Sequence, residues 1–465
     1  MPHLILFSFL IFAVWLIRQD TKRREGISSA LWIPTLWVGI IASRPVSAWT
    51  GIGGSGDTLD GSPADRAYYL TLILAALFVL SRRAVNWGWL IARNWPLVVF
   101  YGFLLVSVLW ANSPFSSFKR WFKESGNILM VLVILTDPRP LQAFRAVFVR
   151  CAYLLIPLSL IFIRYFPDIG RRYNIHSGAM EAVGVTFQKN SLGTMILACG
   201  LILLWDWLQR LDAGERIRNK AEKYAPPIIL GIAVYLLFLC DSKTSILSLA
   251  MGSLIVVSIR FSVLRQKVSD LGLYALIAAG VFFVADRQFG ISEAIIRSLG
   301  RDMTFTGRTE VWAELMKVGT DPLLGTGFMS FWDDERFQSK LPYWVAFSAH
   351  NGYIEVYLAG GWVGVGALSL MLLGVIGRIN RALSDGSDYS AVRFAILVMA
   401  LIANFAESNF ACMTPLGLLF ILAAIGQARP EAMPAFEYQP GLNSAAEPAH
   451  APGSEAPADR RPQMS

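Results

Sequence analysis

Arg308 and His350 are the residues whose types and setting point most directly to chemistry. They bound a polar stretch, TGRTEVWAELMKVGTDPLLGTGF followed by a loop and SAHNGYIEVYLAGG, in a chain that is otherwise apolar. A guanidinium holds a phosphate through a planar fork of donors, and a neutral imidazole accepts a proton from an attacking hydroxyl. His350 and Asn351 directly precede an apolar run, so they fall near a helix N-terminus, where free N–H groups and the positive end of the dipole favour a phosphate. A short helix is expected over GRTEVWAELMKVG, capped by Thr306 and ended by Gly319 and Pro322. It puts Arg308 and Trp312 on one face at i and i+4. The two glycines of PLLGTGF either let backbone approach a ligand or reverse the chain.

The elements that must position these residues follow from composition. With 55% hydrophobic and 16% charged residues, the chain cannot build a soluble globular surface. It reads as an all-α, polytopic transmembrane helical bundle. Cys151, Cys199, Cys240 and Cys412 sit within or at the ends of apolar segments and read as small core hydrophobes, not as a disulfide or metal framework. The net charge of +8 would suggest nucleic acid in a soluble protein; here it is sorted by membrane side, and no nucleic-acid partner is expected.

With roughly 17 to 25 residues per span, and shorter apolar cores at tilted ends, the runs predict about 12–13 helices. They are 4–17, 27–43, 67–80, 95–111, 126–136, 146–163, 191–208, 226–240, 246–259, 271–285, 352–376, 391–410 and 413–426. The first run is followed by its basic residues, not preceded by them, and reads as a retained helix rather than a cleaved signal. Basic loops at 18–24, 82–93, 139–145, 210–223, 260–267 and 378–393 fall on one side, which the positive-inside rule makes cytoplasmic. The other loops, including 286–351, are then external. Residues 427–465, rich in Pro, Ala, Ser and Glu, read as a disordered cytoplasmic tail.

The external loops nevertheless carry Lys119, Arg120, Lys123, Arg164, Arg171, Arg172, Lys189, Lys243, Arg297 and Arg301 besides Arg308. Cations there oppose the usual topology bias. They suggest a bound anion such as a lipid-linked diphosphate; anionic lipid head groups or pairing with acidic neighbours are the plainer alternatives.

TGRTEVW, DPLLGTGF and SAHNGYIEVYLAGGWVG, in a long external loop late in a polytopic chain, resemble the O-antigen ligase and O-antigen polymerase family, which includes exopolysaccharide polymerases. GVTFQKNSLG resembles that family's Lys-Asn segment before a helix, and CDSKTS its Ser-basic-small segment at a helix end. The similarity runs from about residue 95 to the last helix and is most specific from Arg308 to Asn351.

The resemblance implies a metal-independent, inverting glycosyltransferase without a cofactor, multi-pass in the bacterial inner membrane. Residues 1–426 would form the transmembrane domain and 286–351 its periplasmic catalytic loop. The donor implied is a glycan on undecaprenyl diphosphate; the acceptor is lipid A-core for a ligase or a second lipid-linked glycan for a polymerase. Residue by residue, His350 is the base for the acceptor hydroxyl and Arg308 binds the diphosphate. Lys243, Lys189, Arg171, Arg172, Asn351 and Trp312 are expected to contact substrate. Lys243 stands where many relatives carry arginine, which retains charge without the bidentate fork, and Gln188 stands where relatives often have histidine.

Other residues are read more plainly. His176 reads as a loop histidine and Asp333-Asp334-Glu335 as a solvated turn. Glu355 either orients His350 or meets water, and Glu407 either supports the site or makes a helix-packing hydrogen bond. A transporter or flippase for a lipid-linked anion is the other function class. It calls for paired interrupted helices in related halves and a midplane charge, whereas here polar residues gather at one face and no internal repeat is visible.

Overall fold

The computed structural model describes residues 1–52, 61–173, 178–214, 219–258, 260, 308–342, 345, 348–384 and 388–425. The expected span 271–285, the Thr306 cap, His176, Arg297, Arg301 and the tail 427–465 lie outside them.

The described chain is helical apart from one short hairpin, and the apolar runs dictate where the helices fall. They are α1 (Pro2–Arg23), α2 (Trp32–Ile41), α3 (Pro63–Ser81), α4 (Trp95–Ser107), α5 (Pro114–Leu135), α6 (Pro140–Tyr165), α7 (Lys189–Asp212), α8 (Lys220–Leu239) and α9 (Lys243–Ser258). After the undescribed stretch come α10 (Arg308–Lys317), α11 (Gly352–Ser384), α12 (Asp388–Ala403) and α13 (Pro415–Ala424). Strands β1 (Arg171–Tyr173) and β2 (Met180–Ala182) pair antiparallel, with Arg172 opposite Glu181. Among the described residues six helices are long and apolar enough to cross a membrane, or seven if the pair Trp87–Arg93 and Trp95–Trp110, bent by 89°, is one span. The protein is a multi-pass membrane protein. Helices α6 and α7 form the buried centre, whereas α1 exposes Leu4, Phe7, Ile11 and Val14 outward, as a lipid-facing span does.

Two runs end differently from expectation. The run 126–136 is the second half of a longer helix, because Pro114 starts α5 and its first turns carry Lys119, Arg120 and Lys123 as helix rather than loop. The run 391–410 breaks after Ala403. Asn404 Oδ1 accepts from the backbone N–H groups of Asn409 (2.9 Å) and Phe410 (3.1 Å), which closes a polar turn that α12 cannot continue through. Thr414 then caps α13, accepting from Gly417 N at 2.9 Å.

The basic loops meet at one end of the bundle. Arg24 and Arg145 converge on Asp206, Arg83 pairs with Asp137, and Arg393 donates to the Ala423 carbonyl at 2.8 Å. The polar stretch from Arg308 lies at the other end, where Asn190 at the start of α7 touches Glu407.

Helix α11 is broken at Gly361, whose φ of 56° and ψ of −155° are open essentially to glycine alone. A break leaves backbone groups that hydrocarbon cannot satisfy. The DPLLGTGF segment satisfies them. Thr326 N and Gly327 N donate to the carbonyls of Leu358 and Ala359, both at 2.9 Å. In return Trp362 N and Val363 N donate to those of Pro322 (2.9 Å) and Leu323 (3.1 Å). The glycines therefore serve close approach of backbone to backbone: a Cβ on Gly325 would press on Gly360 N, and one on Gly361 would fall on the Leu323 carbonyl. Gly361→Ala is expected to cost about 2–4 kcal/mol in thermal unfolding of the detergent-solubilised full chain. Gly366→Ala, where a Cβ meets nothing within 4 Å, should stay within about 0.5 kcal/mol.

Candidate active site

A small hydrophobic core outside the main bundle sets the site. Val311, Leu315 and Val318 recur at helical spacing and pack with Phe331, Trp332, Ala349, Leu358 and Ile354. This packing fixes α10 against the start of α11, so the two ends of the polar stretch are brought together. Trp312 Nε1 donates to the Ala349 carbonyl at 2.9 Å. Glu355, half-buried in the first turn of α11, accepts from Ala349 N at 2.7 Å and from Trp332 Nε1 at 3.0 Å. The contacts of Trp312 and Glu355 with Ala349 anchor the backbone one residue before His350, which makes Glu355 a brace for that segment.

His350 itself has φ 47°, a left-handed conformation uncommon for a side-chain-bearing residue and concentrated at functional sites. Its Nδ1 lies 3.2 Å from Glu407 Oε2. Glu407 Oε1 accepts from Arg308 Nη2 at 3.1 Å and from Asn190 Nδ2 at 2.6 Å, and Arg308 Nη1 also donates to the Ala406 carbonyl. One carboxylate thus joins α7, α10, the approach to α11 and the turn after α12. The tautomer with a proton on Nδ1 donates to Glu407 and presents the Nε2 lone pair. A base oriented by a carboxylate, with a guanidinium beside the same carboxylate, is an arrangement for abstracting a proton next to a developing negative charge.

The remaining sequence candidates are distributed around this centre. Asn351 is buried, and its Oδ1 accepts from Tyr353 N (3.0 Å) and Ile354 N (3.2 Å), so it caps α11. Lys189 begins α7 beside Asn190 and pairs with Glu181 at 3.0 Å. Lys243 begins α9, and Gly193 of α7 lies so close to Ser242 and Ser245 that a Cβ there would overlap the Ser245 hydroxyl. The Lys-Asn and Ser-Lys segments are therefore neighbours. Arg171 Nε donates to the Ile163 carbonyl at 2.7 Å, and Arg172 is exposed on β1 opposite Glu181. Pairing with acidic neighbours, the plainer reading of the external cations, holds for Arg120 with Asp333, for Lys189 with Glu181 and for Arg308 with Glu407. The acidic turn is not simply solvated: Asp334 is buried, caps the helix Glu335–Gln338, and is held below the usual carboxylate range by its hydrogen bonds with Arg336. Among the described residues, no group of three or more His, Cys, Asp or Glu side chains comes together as a metal-ligand set.

Sequence reasoning missed Asn190 and Arg44 and left Glu407 undecided. Asn190 stood next to the Lys189 it did single out. Arg44, three residues past α2, donates to the carbonyls of Thr186 (2.9 Å) and Ile169 (2.5 Å) and so ties down the GVTFQKN loop that leads into Asn190. No local pattern marks that role, because the partners are backbone carbonyls more than a hundred residues away.

The fold and site together define a multi-pass helical membrane protein with a His–Glu–Arg centre at one end of its bundle. The family model described as O-antigen ligase matches residues 228–369, which include Lys243, Arg308 and His350. The chain is also similar to the exopolysaccharide production protein ExoQ of Rhizobium meliloti (strain 1021), 24% identical over 365 residues that cover 75% of this chain and 79% of that protein. These findings support membership of the O-antigen ligase and polymerase family. Asn190 and Glu407 lie outside the matched family segment, so the centre draws on both sides of it.

Because Glu407 is shared, its loss should be felt by several partners at once. Glu407→Ala is expected to destabilise the purified protein by about 1–3 kcal/mol, since it leaves Arg308 Nη2 and Asn190 Nδ2 without their acceptor. A double-mutant cycle with Asn190→Ala, read by thermal unfolding, should give a coupling of about 0.5–3 kcal/mol. Additive effects would show that the carboxylate does not join the two.

Proposed function

We propose that this protein is a membrane glycosyltransferase that moves a glycan from undecaprenyl diphosphate to an acceptor hydroxyl, at the His350 end of the bundle and on the periplasmic face of the inner membrane. The observation that carries the reading is the shared Glu407 carboxylate, 3.2 Å from His350 Nδ1 and 3.1 Å from Arg308 Nη2. It holds a base and an anion-binding cation on the two oxygens of one carboxylate. In the reaction, the acceptor oxygen attacks the anomeric carbon as its proton passes to His350 Nε2. The bond from that carbon to the phosphate oxygen breaks, and its electron pair leaves with the diphosphate. Arg308 stabilises the departing charge, with Lys189 and Lys243, at the nearby starts of α7 and α9, as further phosphate ligands. Arginine and lysine supply this charge without a metal, and attack opposite the leaving group inverts the anomeric centre. Trp312, Arg171 and Arg172 serve the glycan or its diphosphate in this reading, and Asn351 presents the start of α11 to it.

Two acceptors fit the same donor chemistry. The matching family description, O-antigen ligase, fits a ligase, for which the acceptor in this reading is lipid A-core; similarity to an exopolysaccharide production protein fits equally a polymerase, which in this reading joins lipid-linked repeat units. A deletion strain separates them: full-length chains left on undecaprenyl diphosphate mark a ligase, and accumulated single repeats mark a polymerase.

For the purified protein, His350→Ala is expected to lower glycan transfer by about 10²–10⁴-fold. Arg308→Ala should abolish transfer, with Arg308→Lys retaining a part of it, while all three variants insert and keep their helical circular dichroism. Unchanged transfer by folded His350→Ala would remove the catalytic assignment.

A further inference from the structure

At the end of the bundle away from His350, a second charged cluster is buried among α1, α6 and α7. Asp206 is sixteen residues beyond Asn190 on α7, about 24 Å along the helix. It takes Arg24 Nη2 at 2.7 Å and Arg145 Nε at 2.6 Å, and it also pairs with Arg210. Asp20 takes Arg24 Nε at 2.8 Å and Arg23 Nη2 at 2.7 Å, with Arg150 Nε 3.5 Å from its other oxygen.

Among the described residues the charges do not balance. Five guanidinium groups, of Arg23, Arg24, Arg145, Arg150 and Arg210, surround the two carboxylates of Asp20 and Asp206, and one further described acid, Glu222, lies 3.7 Å from Arg23 Nη1. Arg24, Arg150 and Arg210 are each at most 4% exposed. Arg150 Nη2 and Arg210 Nε and Nη1 are buried without a hydrogen-bond acceptor among the described residues; Asp20 Oδ2 and Asp206 Oδ2 of the same cluster are also without a hydrogen-bonded donor, but two oxygens do not match the donors of five guanidinium groups. Buried guanidinium donors left unmatched are strongly unfavourable, and a neutral ligand cannot offset the excess charge.

The surroundings indicate which anion. The Arg150 guanidinium lies 5.0 Å over the ring of Trp32, which is 42% exposed, and Arg23 reaches the surface at the end of lipid-facing α1. An exposed tryptophan at a helix end beside arginines is the setting of a membrane–water interface, where phosphates of anionic lipids lie. We propose that this cluster is a binding site for a phosphate group, presented by an anionic phospholipid head group or by soluble phosphate, with Arg150 and Arg210 as its principal donors. The site is separate from the glycan-transfer centre and does not depend on that reading.

The test uses the full chain in lipid nanodiscs of phosphatidylcholine alone, of phosphatidylcholine with phosphatidylglycerol, and of phosphatidylcholine with inorganic phosphate at ionic strength matched by chloride. Unfolding temperature and retained lipid by native mass spectrometry are read in each. A raised unfolding temperature and retained phosphatidylglycerol support a lipid source; stabilisation by inorganic phosphate alone supports a soluble one. Arg150→Gln and Arg210→Gln should each weaken the stabilising anion's binding roughly tenfold, and Arg150→Lys less. Equal unfolding temperatures in all three wild-type preparations, with no retained phosphatidylglycerol, would overturn the proposal whether or not the variants fold. Binding left intact by folded Arg150→Gln and Arg210→Gln would overturn it as well.

Discussion

The Glu407 carboxylate is the contact on which the rest of the site depends. Three groups from distant parts of the chain, Asn190, Arg308 and His350, meet on its two oxygens. A carboxylate suits that position because it has acceptor capacity for several donors and a charge that holds a guanidinium. It is carried on the tight turn after α12, where Asn404 and Thr414 have already engaged the neighbouring backbone groups, so the acid meets its partners without interrupting a helix in hydrocarbon. The cost of an acid at membrane depth is reduced because the acid lies at the bundle's end.

That contact requires the polar stretch to be held firmly, and two devices do it. The broken helix α11 and the DPLLGTGF segment exchange four backbone hydrogen bonds, so each satisfies the polar groups the other leaves open. The satellite core of Leu315, Phe331, Trp332 and Ala349 then fixes α10 relative to that pair. His350 follows Ala349 directly, in a backbone conformation that the Trp312 and Glu355 contacts can maintain. The strain at His350 is local, and the packing around it supplies the restraint.

Polarity is thus concentrated at the two ends of the bundle, joined by the apolar lengths of α6 and α7. At one end a single carboxylate gathers an imidazole and a guanidinium; at the other, among the described residues, guanidinium groups outnumber the acids between them. The same side-chain chemistry gives different outcomes because the ratio of acid to base differs, and so does the exposure: His350 is 30% exposed, whereas Arg150 and Arg210 are almost fully buried.

The sequence by itself determined the class of protein and the approximate position of its helices, because a run of apolar residues long enough for a bilayer leaves the backbone no alternative to internal hydrogen bonding. It also singled out Arg308 and His350 and, through short motifs, the family they resemble. It could not decide where helices stop when a polar side chain ends them, as Asn404 does, or start inside charged sequence, as α5 does at Pro114. Nor could it choose between approach to a ligand and chain reversal for Gly325 and Gly327, which both lie against backbone, or give Asn190 and Arg44 a role. Those decisions rest on partners far away in the chain. Periodicity and capping are local, whereas the meeting of Asn190 with Glu407 exists only once α7 and the turn after α12 are packed side by side.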